Sequence, residues 1–211
     1  MNRLILFLLM SMLLGSCAQL TPFHSARTEG AGNLTASPAI DGTVFIPSVN
    51  STSFQGLPGG RVELAYGITN KIDILTSLYT SGSIMGSMKF QFLGDNESNI
   101  AGAVMPGYEY QSSVIVVNSD PETIHRIHVP LIFSIRANEK TDFYIGPKFT
   151  YQIDKDDNNT IYSGIVGGVE LGTRIKYNIG LGAYLPKTQN TSTEGYLVQF
   201  GGSMRIPLFR K

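Results

Sequence analysis

The chain contains a single cysteine, no tryptophan and few charges. With Cys17 as the only cysteine among 211 residues, no disulfide can form within the chain, and cysteine-based zinc or redox sites are excluded. Charged side chains make up only 15% of the residues, and 16 basic residues balance 16 acidic ones. This balance argues against a nucleic-acid partner and against a polybasic surface for binding membranes.

The N-terminus has the features of an export signal. One basic residue precedes an apolar run at residues 4–14, which is shorter than the roughly 20 residues of a transmembrane helix but fits a signal peptide. The run ends in Leu14-Gly15-Ser16-Cys17, which resembles the lipobox of bacterial lipoprotein precursors. The resemblance implies cleavage before Cys17 and acylation of this residue, and Ala18 after it implies delivery to the outer membrane. Two or more acyl chains on one residue give stable anchoring to membrane lipid.

The remainder of the chain has a β-rich composition, and its apolar residues recur at every second position. In one segment, Val62, Leu64, Tyr66 and Ile68 alternate with polar or small residues. Counting such segments predicts ten strands, near residues 27–40, 60–69, 71–80, 83–94, 99–112, 123–137, 141–154, 160–173, 176–186 and 195–209. The predicted organisation is a signal peptide at 1–16, a lipid-anchored tether at 17–26 and a β-barrel domain at 27–211.

The connections between the predicted strands predict an antiparallel up-and-down barrel. Short connections near residues 70, 95–98, 138–140 and 174–175 alternate with mostly longer polar ones at 41–59, 113–122, 155–159 and 187–194, and only the connection near 81–82 departs from this order. Short turns at one end and long loops at the other are typical of transmembrane barrels. A lipid anchor on the periplasmic side would place the short turns in the periplasm.

The two faces of the predicted strands differ in charge. The apolar face is essentially uncharged and is expected to meet lipid, whereas the other face carries acids and bases that would pair across the lumen. Seven glycines on this face leave room for long side chains. We therefore expect a plugged lumen or a narrow pore. The predicted lumen charges are Glu63, Lys71, Asp73, Lys89, Glu109, Arg126, Arg136, Lys148, Glu170 and Arg205.

A second interpretation reverses the faces and predicts a soluble periplasmic barrel that binds a small hydrophobic ligand in an apolar lumen. Strands of about ten residues favour the membrane form. The segment from Tyr66 to Ile74 also resembles a hairpin common in small outer-membrane barrels. The chain ends Leu208-Phe209-Arg210-Lys211, so the terminal aromatic residue typical of that family lies two residues early and out of phase.

The residues that could carry chemistry do not form a convincing active site. His24 lies in the predicted tether and is expected to be solvated, and His125 and His128 are expected on opposite faces of one strand. His128 and Glu109 can meet as neighbours in the lumen, but no nucleophile accompanies them. The acidic loop at 154–157 lacks the spaced ligands of a calcium site. We therefore predict no enzymatic activity, no catalytic residues, no cofactor and no metal, and the ligand, if there is one, stays unknown.

Overall fold

The computed structural model describes residues 24–47, 55–112, 123–153, 159–189 and 195–210, and all regular structure in these ranges is β-strand. Within the same ranges, no helix has the length and apolar character needed to cross a bilayer. The strands are β1 (Leu34–Pro47), β2 (Gln55–Thr69), β3 (Ile72–Tyr79), β4 (Ser83–Leu93), β5 (Ile100–Val104), β6 (Gly107–Ser112), β7 (Thr123–Asn138), β8 (Thr141–Ile153), β9 (Thr160–Leu171), β10 (Lys176–Thr188) and β11 (Gly195–Phe209).

The strands close into one antiparallel barrel. Strands that follow one another in the chain pair, except β5 with β6, and β1 pairs with both β2 and β11, which closes the sheet on itself. The short strands β5 and β6 lie end to end between β4 and β7. They are separated at Met105-Pro106, where proline has no N–H to donate to the sheet. Together they count as one strand, so the predicted ten-stranded up-and-down barrel is confirmed.

The two ends of the barrel differ, and we call them the turn end and the loop end. The turn end holds the connections at 70–71, 94–99, 139–140 and 172–175, together with the start of β1 and the end of β11. Gly94 and Gly172 have φ angles of 67° and 113° there, a region that favours glycine. At the loop end, the predicted short connection near 81–82 is a tight turn in which Gly82 has a φ of 83°. The predicted loops at 113–122 and 155–158 lie outside the described residues.

The prediction for the first strand is wrong. A strand was expected at 27–40 and a loop at 41–59, but β1 covers Leu34–Pro47 and β2 already begins at Gln55. The outward positions of β1 include Ala36, Pro38 and Gly42, so the apolar alternation that predicts a strand is weak here. Pairing with β2 and β11 along nearly its whole length determines the register instead.

The interior and exterior of the barrel are opposite in character to those of a soluble protein. The buried side chains are mostly polar or charged, whereas the large apolar side chains of the strands are exposed on the outer surface. Small buried clusters of apolar residues interrupt the polar lumen, such as Ala65 with Leu75 and Met105. The barrel therefore positions its functional groups either in a polar lumen or at its two ends.

Candidate functional site in the barrel lumen

Residues 24–33, which we call the lumen segment, lie inside the turn end of the barrel. His24 is only 2% exposed and its Nε2 lies 2.5 Å from a Glu63 carboxylate oxygen, so the expectation of a solvated histidine is wrong. Gly30 and Gly32 have φ angles of 83° and 79°, which allow the tight bend before β1. At Gly67 of β2, any side chain would collide with the backbone carbonyl of Gly30. The segment thus packs against the barrel wall by close backbone contact.

Arg27 joins the lumen segment to the wall. Its Nε donates to Asp142 on β8 at 3.0 Å, and its Nη1 donates to the backbone carbonyl of Asp95 in the β4–β5 turn at 2.8 Å. The backbone carbonyl of Arg27 in turn accepts a hydrogen bond from Lys89 Nζ on β4 at 2.9 Å. One residue therefore links three elements around the barrel, because its side chain and its carbonyl point to different strands.

The neighbouring residues of the segment make similar contacts. The amide of Ala26 donates to Ser134 Oγ at 2.7 Å, and the amide of Glu29 donates to the Asp73 carboxylate at 3.0 and 3.1 Å. The carboxylate of Glu29 forms an ion pair with Arg205 Nε at 2.7 Å. Because these partners belong to β7, β3 and β11, the segment is held from several sides and fills the lumen as a plug.

Charged side chains of the barrel wall also form a network around the lumen segment at the turn end. Glu170 accepts from Lys176 Nζ at 2.6 Å and from Arg205 Nη1 at 2.9 Å. Lys89 lies 3.9 Å from the Asp73 carboxylate, and both side chains are fully buried. Buried charges are tolerated only when they are paired and hydrogen-bonded. Each of these buried charges has an oppositely charged partner near the lumen segment.

A second network lies nearer the loop end. Arg126 Nη1 donates to Glu109 at 2.8 Å and to Gln111 at 2.9 Å, while its Nε donates to Gln152 at 2.8 Å. The other oxygen of Glu109 lies 2.9 Å from His128 Nε2. The strands β6, β7 and β8 are thereby tied together by one guanidinium and one carboxylate, which form the strong charge-assisted type of hydrogen bond.

His128 has the contacts of a base in a catalytic relay, but its side chain is only 2% exposed. Its Nδ1 lies 3.0 Å from Thr150 Oγ1, so the order of groups is carboxylate, imidazole and hydroxyl. Thr150 is only 1% exposed, and the cavity beside His128 and Lys148 has a volume of about 10 Å³. This volume suits a single water molecule. The arrangement therefore serves to satisfy buried polar groups.

The structure buries the sequence-predicted lumen residues inside the barrel, with two exceptions. Arg136 lies at the rim, with its side chain 23% exposed and its Nε 3.5 Å from Asp142. Lys71 is exposed in the β2–β3 turn, so its prediction as a lumen charge is wrong. The residues buried inside are Glu63, Asp73, Lys89, Glu109, Arg126, Lys148, Glu170 and Arg205.

Sequence reasoning missed Asp142 and the charged residues of the lumen segment. Asp142 has the same strand phase as Lys148, so the alternation alone was sufficient to place it inside. Arg27 and Glu29 carry no such signal, because residues 24–33 form no regular structure. The lipidation candidate Cys17 and the acidic loop residues 154–157 lie outside the described residues. No group of three or more metal-ligating side chains occurs within the described ranges.

The outer surface is a continuous apolar belt. Among the described strands, Lys187 at the loop end of β10 is the only charged side chain that points outward. His125 also points outward, as predicted from its phase, and its Nδ1 lies 2.5 Å from the Tyr108 hydroxyl. Exposed aromatic side chains gather toward both ends of the belt, as in the girdles of membrane barrels. Those toward the turn end are Tyr66, Phe92, Phe143, Tyr177 and Phe209, and those toward the loop end are Tyr108, Tyr110 and Tyr196. Phe133, Phe149 and Phe200 are also exposed and lie nearer the middle of the belt.

Comparison with known proteins finds likeness in structure only. No family model matches the chain, and no curated protein matches its sequence. Neisserial surface protein A is 11% identical with a TM-score of 0.43, covering 82% of this chain and 96% of its own. An outer-membrane channel from Pseudomonas putida F1 is 8% identical with a TM-score of 0.46, covering 89% and 100%. The outer-membrane protease OmpT from Escherichia coli is 9% identical with a TM-score of 0.43, covering 83% and 97%.

These structural neighbours are bacterial outer-membrane β-barrel proteins of different activities, and one of them is a protease. Because the identities and TM-scores are low, the function of this chain has to be argued from its own outer surface, its lumen and its two ends.

Proposed function

We propose that this chain is a lipid-anchored barrel of the bacterial outer membrane, with a closed lumen and a structural or surface-interaction role. The observation that carries the proposal is the contrast between an apolar outer surface and a lumen filled with paired charges. A soluble protein rarely exposes a contiguous apolar patch of more than a few hundred Å². Here apolar side chains cover the outer face of every strand, which is the arrangement that hydrocarbon stabilises.

The same contrast argues against a soluble barrel that binds a hydrophobic ligand. Such a barrel needs an apolar lumen, but the described lumen is lined by charges and amides such as Glu109, Arg126 and Gln152. The cavity beside His128 in this lumen has a volume of only about 10 Å³, which is too small for a hydrophobic ligand. The soluble alternative is therefore disfavoured by both the chemistry and the volume of the interior.

A filled lumen also favours a role other than conduction. Residues 24–33 occupy the turn end and the Glu109–Arg126 network crosses the region above it, and these side chains support a closed lumen. A rigid closed barrel positions the connections at its loop end, and a surface role would be carried by those connections. Acylation of Cys17, supported by the lipobox resemblance, would tether the chain at its N-terminus.

Membrane retention without the lipid tests the proposal. A Cys17→Ala variant would be exported through an ordinary signal peptide, and isolated membranes would be washed with alkaline carbonate. We expect the variant to stay in the outer membrane and to change its gel mobility on boiling, because the barrel itself spans the bilayer. Release as a soluble folded protein would contradict the proposal. Metabolic labelling with a radioactive fatty acid, present in the wild type and absent in the variant, tests the lipid anchor separately.

A further inference from the structure

A cleft with a strong positive charge opens at the turn end of the barrel. It has a volume of about 270 Å³ and lies between the lumen segment and the wall near the C-terminal strands. Its lining includes Arg174 in the turn after β9, Pro207 near the end of β11 and Arg210 just after β11. Six cationic side chains line it, namely Arg27, Arg136, Arg174, Lys176, Arg205 and Arg210.

The carboxylates in contact with these cations do not neutralise them. Asp142 contacts Arg27 and Arg136, and Glu170 contacts Lys176 and Arg205. Glu29, the only acidic residue in the lining, is also paired with Arg205. Within the described ranges, these six cations and three carboxylates leave three positive charges in excess.

Two of the cations have no acidic partner among the residues that the structure describes. Arg174, in the β9–β10 turn, and Arg210, after β11, are both exposed. Neither forms an ion pair or side-chain hydrogen bond within the described part of the chain. Because both also line the cleft, they hold their guanidinium groups at its mouth without a protein carboxylate to bind.

The inner wall of the cleft is rigid and offers donors of its own. Arg27 and Arg205 are 2% and 4% exposed and are held in place by the contacts described above. Thr28, Asn33, Thr35 and Asn96 also line the cleft and add neutral hydrogen-bonding groups to its wall.

We propose that this cleft binds a phosphate-bearing anion. Guanidinium groups present planar pairs of donors that match the oxygens of phosphate, and they are preferred wherever such groups are recognised. A drug-sized ligand needs a site of roughly 300–1,000 Å³, so this smaller cleft suits a phosphate with a short polar group attached. Either a soluble phosphate monoester or the headgroup of a phospholipid reaching over the rim supplies this chemistry.

The test compares one headgroup with and without acyl chains. Purified protein in dodecyl maltoside would be titrated with glycerol 3-phosphate and with dihexanoyl phosphatidic acid, both phosphate monoesters, by isothermal calorimetry. The test variant is Arg174→Gln with Arg210→Gln. The matched control is Lys71→Gln with Lys140→Gln, which removes the same charge from exposed positions in other turns at the same end. All four positions are exposed, so both double variants are expected to fold.

The expected result is saturable binding to wild type that weakens by at least about ten-fold in the arginine variant and stays unchanged in the lysine control. Equal binding of both probes identifies a soluble anion as sufficient, whereas binding of phosphatidic acid alone identifies a lipid headgroup. Absence of saturable binding of either probe would overturn the proposal, as would equal weakening in the two double variants. Membrane retention of the barrel does not depend on this cleft. If the cleft binds neither probe, the proposed outer-membrane function is therefore unaffected.

Discussion

At the scale of single residues, the lumen shows how long side chains and glycines share a confined space. Tyr144 on β8 and Tyr184 on β10 are inward-facing and buried, and both lie against glycines of β9. A Cβ atom at Gly168 would lie 2.5 Å from the Tyr144 hydroxyl, and one at Gly164 would approach Tyr184 just as closely. Inward glycines are therefore part of the packing of these tyrosines.

Gly168→Ala is predicted to destabilise the barrel, because the added methyl group would overlap the Tyr144 hydroxyl and the sheet backbone. Overpacking of this kind costs about 1–3 kcal/mol. Gly86→Ala is the matched control, since a Cβ there meets no atom within 4 Å. Because the chain has no tryptophan, tryptophan fluorescence cannot report unfolding. Unfolding in urea would instead be measured on gels of unboiled samples, as the fraction of protein that migrates in the folded band. Equal midpoints for the two variants would contradict this account of the packing.

At the scale of elements, alternation predicted the strands well wherever one face is apolar along the whole strand. The prediction at 71–80 corresponds to β3 at Ile72–Tyr79, and the prediction at 195–209 matches β11. The first strand was misplaced because small outward residues weaken its pattern. The break at Met105-Pro106 was missed because β5 and β6 keep the same phase on either side of it.

The lumen segment was beyond sequence reasoning for a different physical reason. It has no periodicity, and its contacts join residues that are far apart in the chain. Ser25 and Glu170 are 145 positions apart, and Arg27 and Asp142 are 115 apart. Such contacts follow from closure of the barrel, which brings all strands around one axis. The sequence led us to expect a plugged lumen or a narrow pore, but it did not identify residues 24–33 as the segment inside the barrel.

Replacing the lumen segment is predicted to open the barrel. The variant exchanges residues 24–33 for a glycine–serine segment of equal length, which removes the contacts of Arg27 and Glu29 with the wall. In planar bilayers we expect no steady conductance from wild type and discrete small currents from the variant. Lys187→Gln, a change at the opposite end, is the control and should stay closed. Identical currents from wild type and the replaced segment would show that these residues do not close the lumen.

At the scale of the whole molecule, the apolar outer belt and the charged lumen favour a barrel that lies in a membrane. The belt carries aliphatic and aromatic side chains, and a Lys or Arg placed on a lipid-facing surface costs about 2–4 kcal/mol near the bilayer midplane. The lumen instead holds paired charges, and removing one partner of a buried pair would leave an uncompensated charge at a cost of about 3–5 kcal/mol. The lipid-facing assignment of the belt is therefore the central claim, on which the roles of plug, networks and ends depend.

The most direct test of that claim is spin-label accessibility across three neighbouring strands. Since Cys17 is the only cysteine, a Cys17→Ala background accepts single cysteines at Ile145, Ile165 and Ile179, each 60% exposed. Lys187 at the loop end supplies the water-exposed control. In reconstituted bilayers we predict high collision rates with oxygen and low rates with a water-soluble nickel chelate at the three isoleucine positions, and the reverse at Lys187. Nickel accessibility at all three positions equal to that at Lys187 would contradict the account, because the belt would then face water.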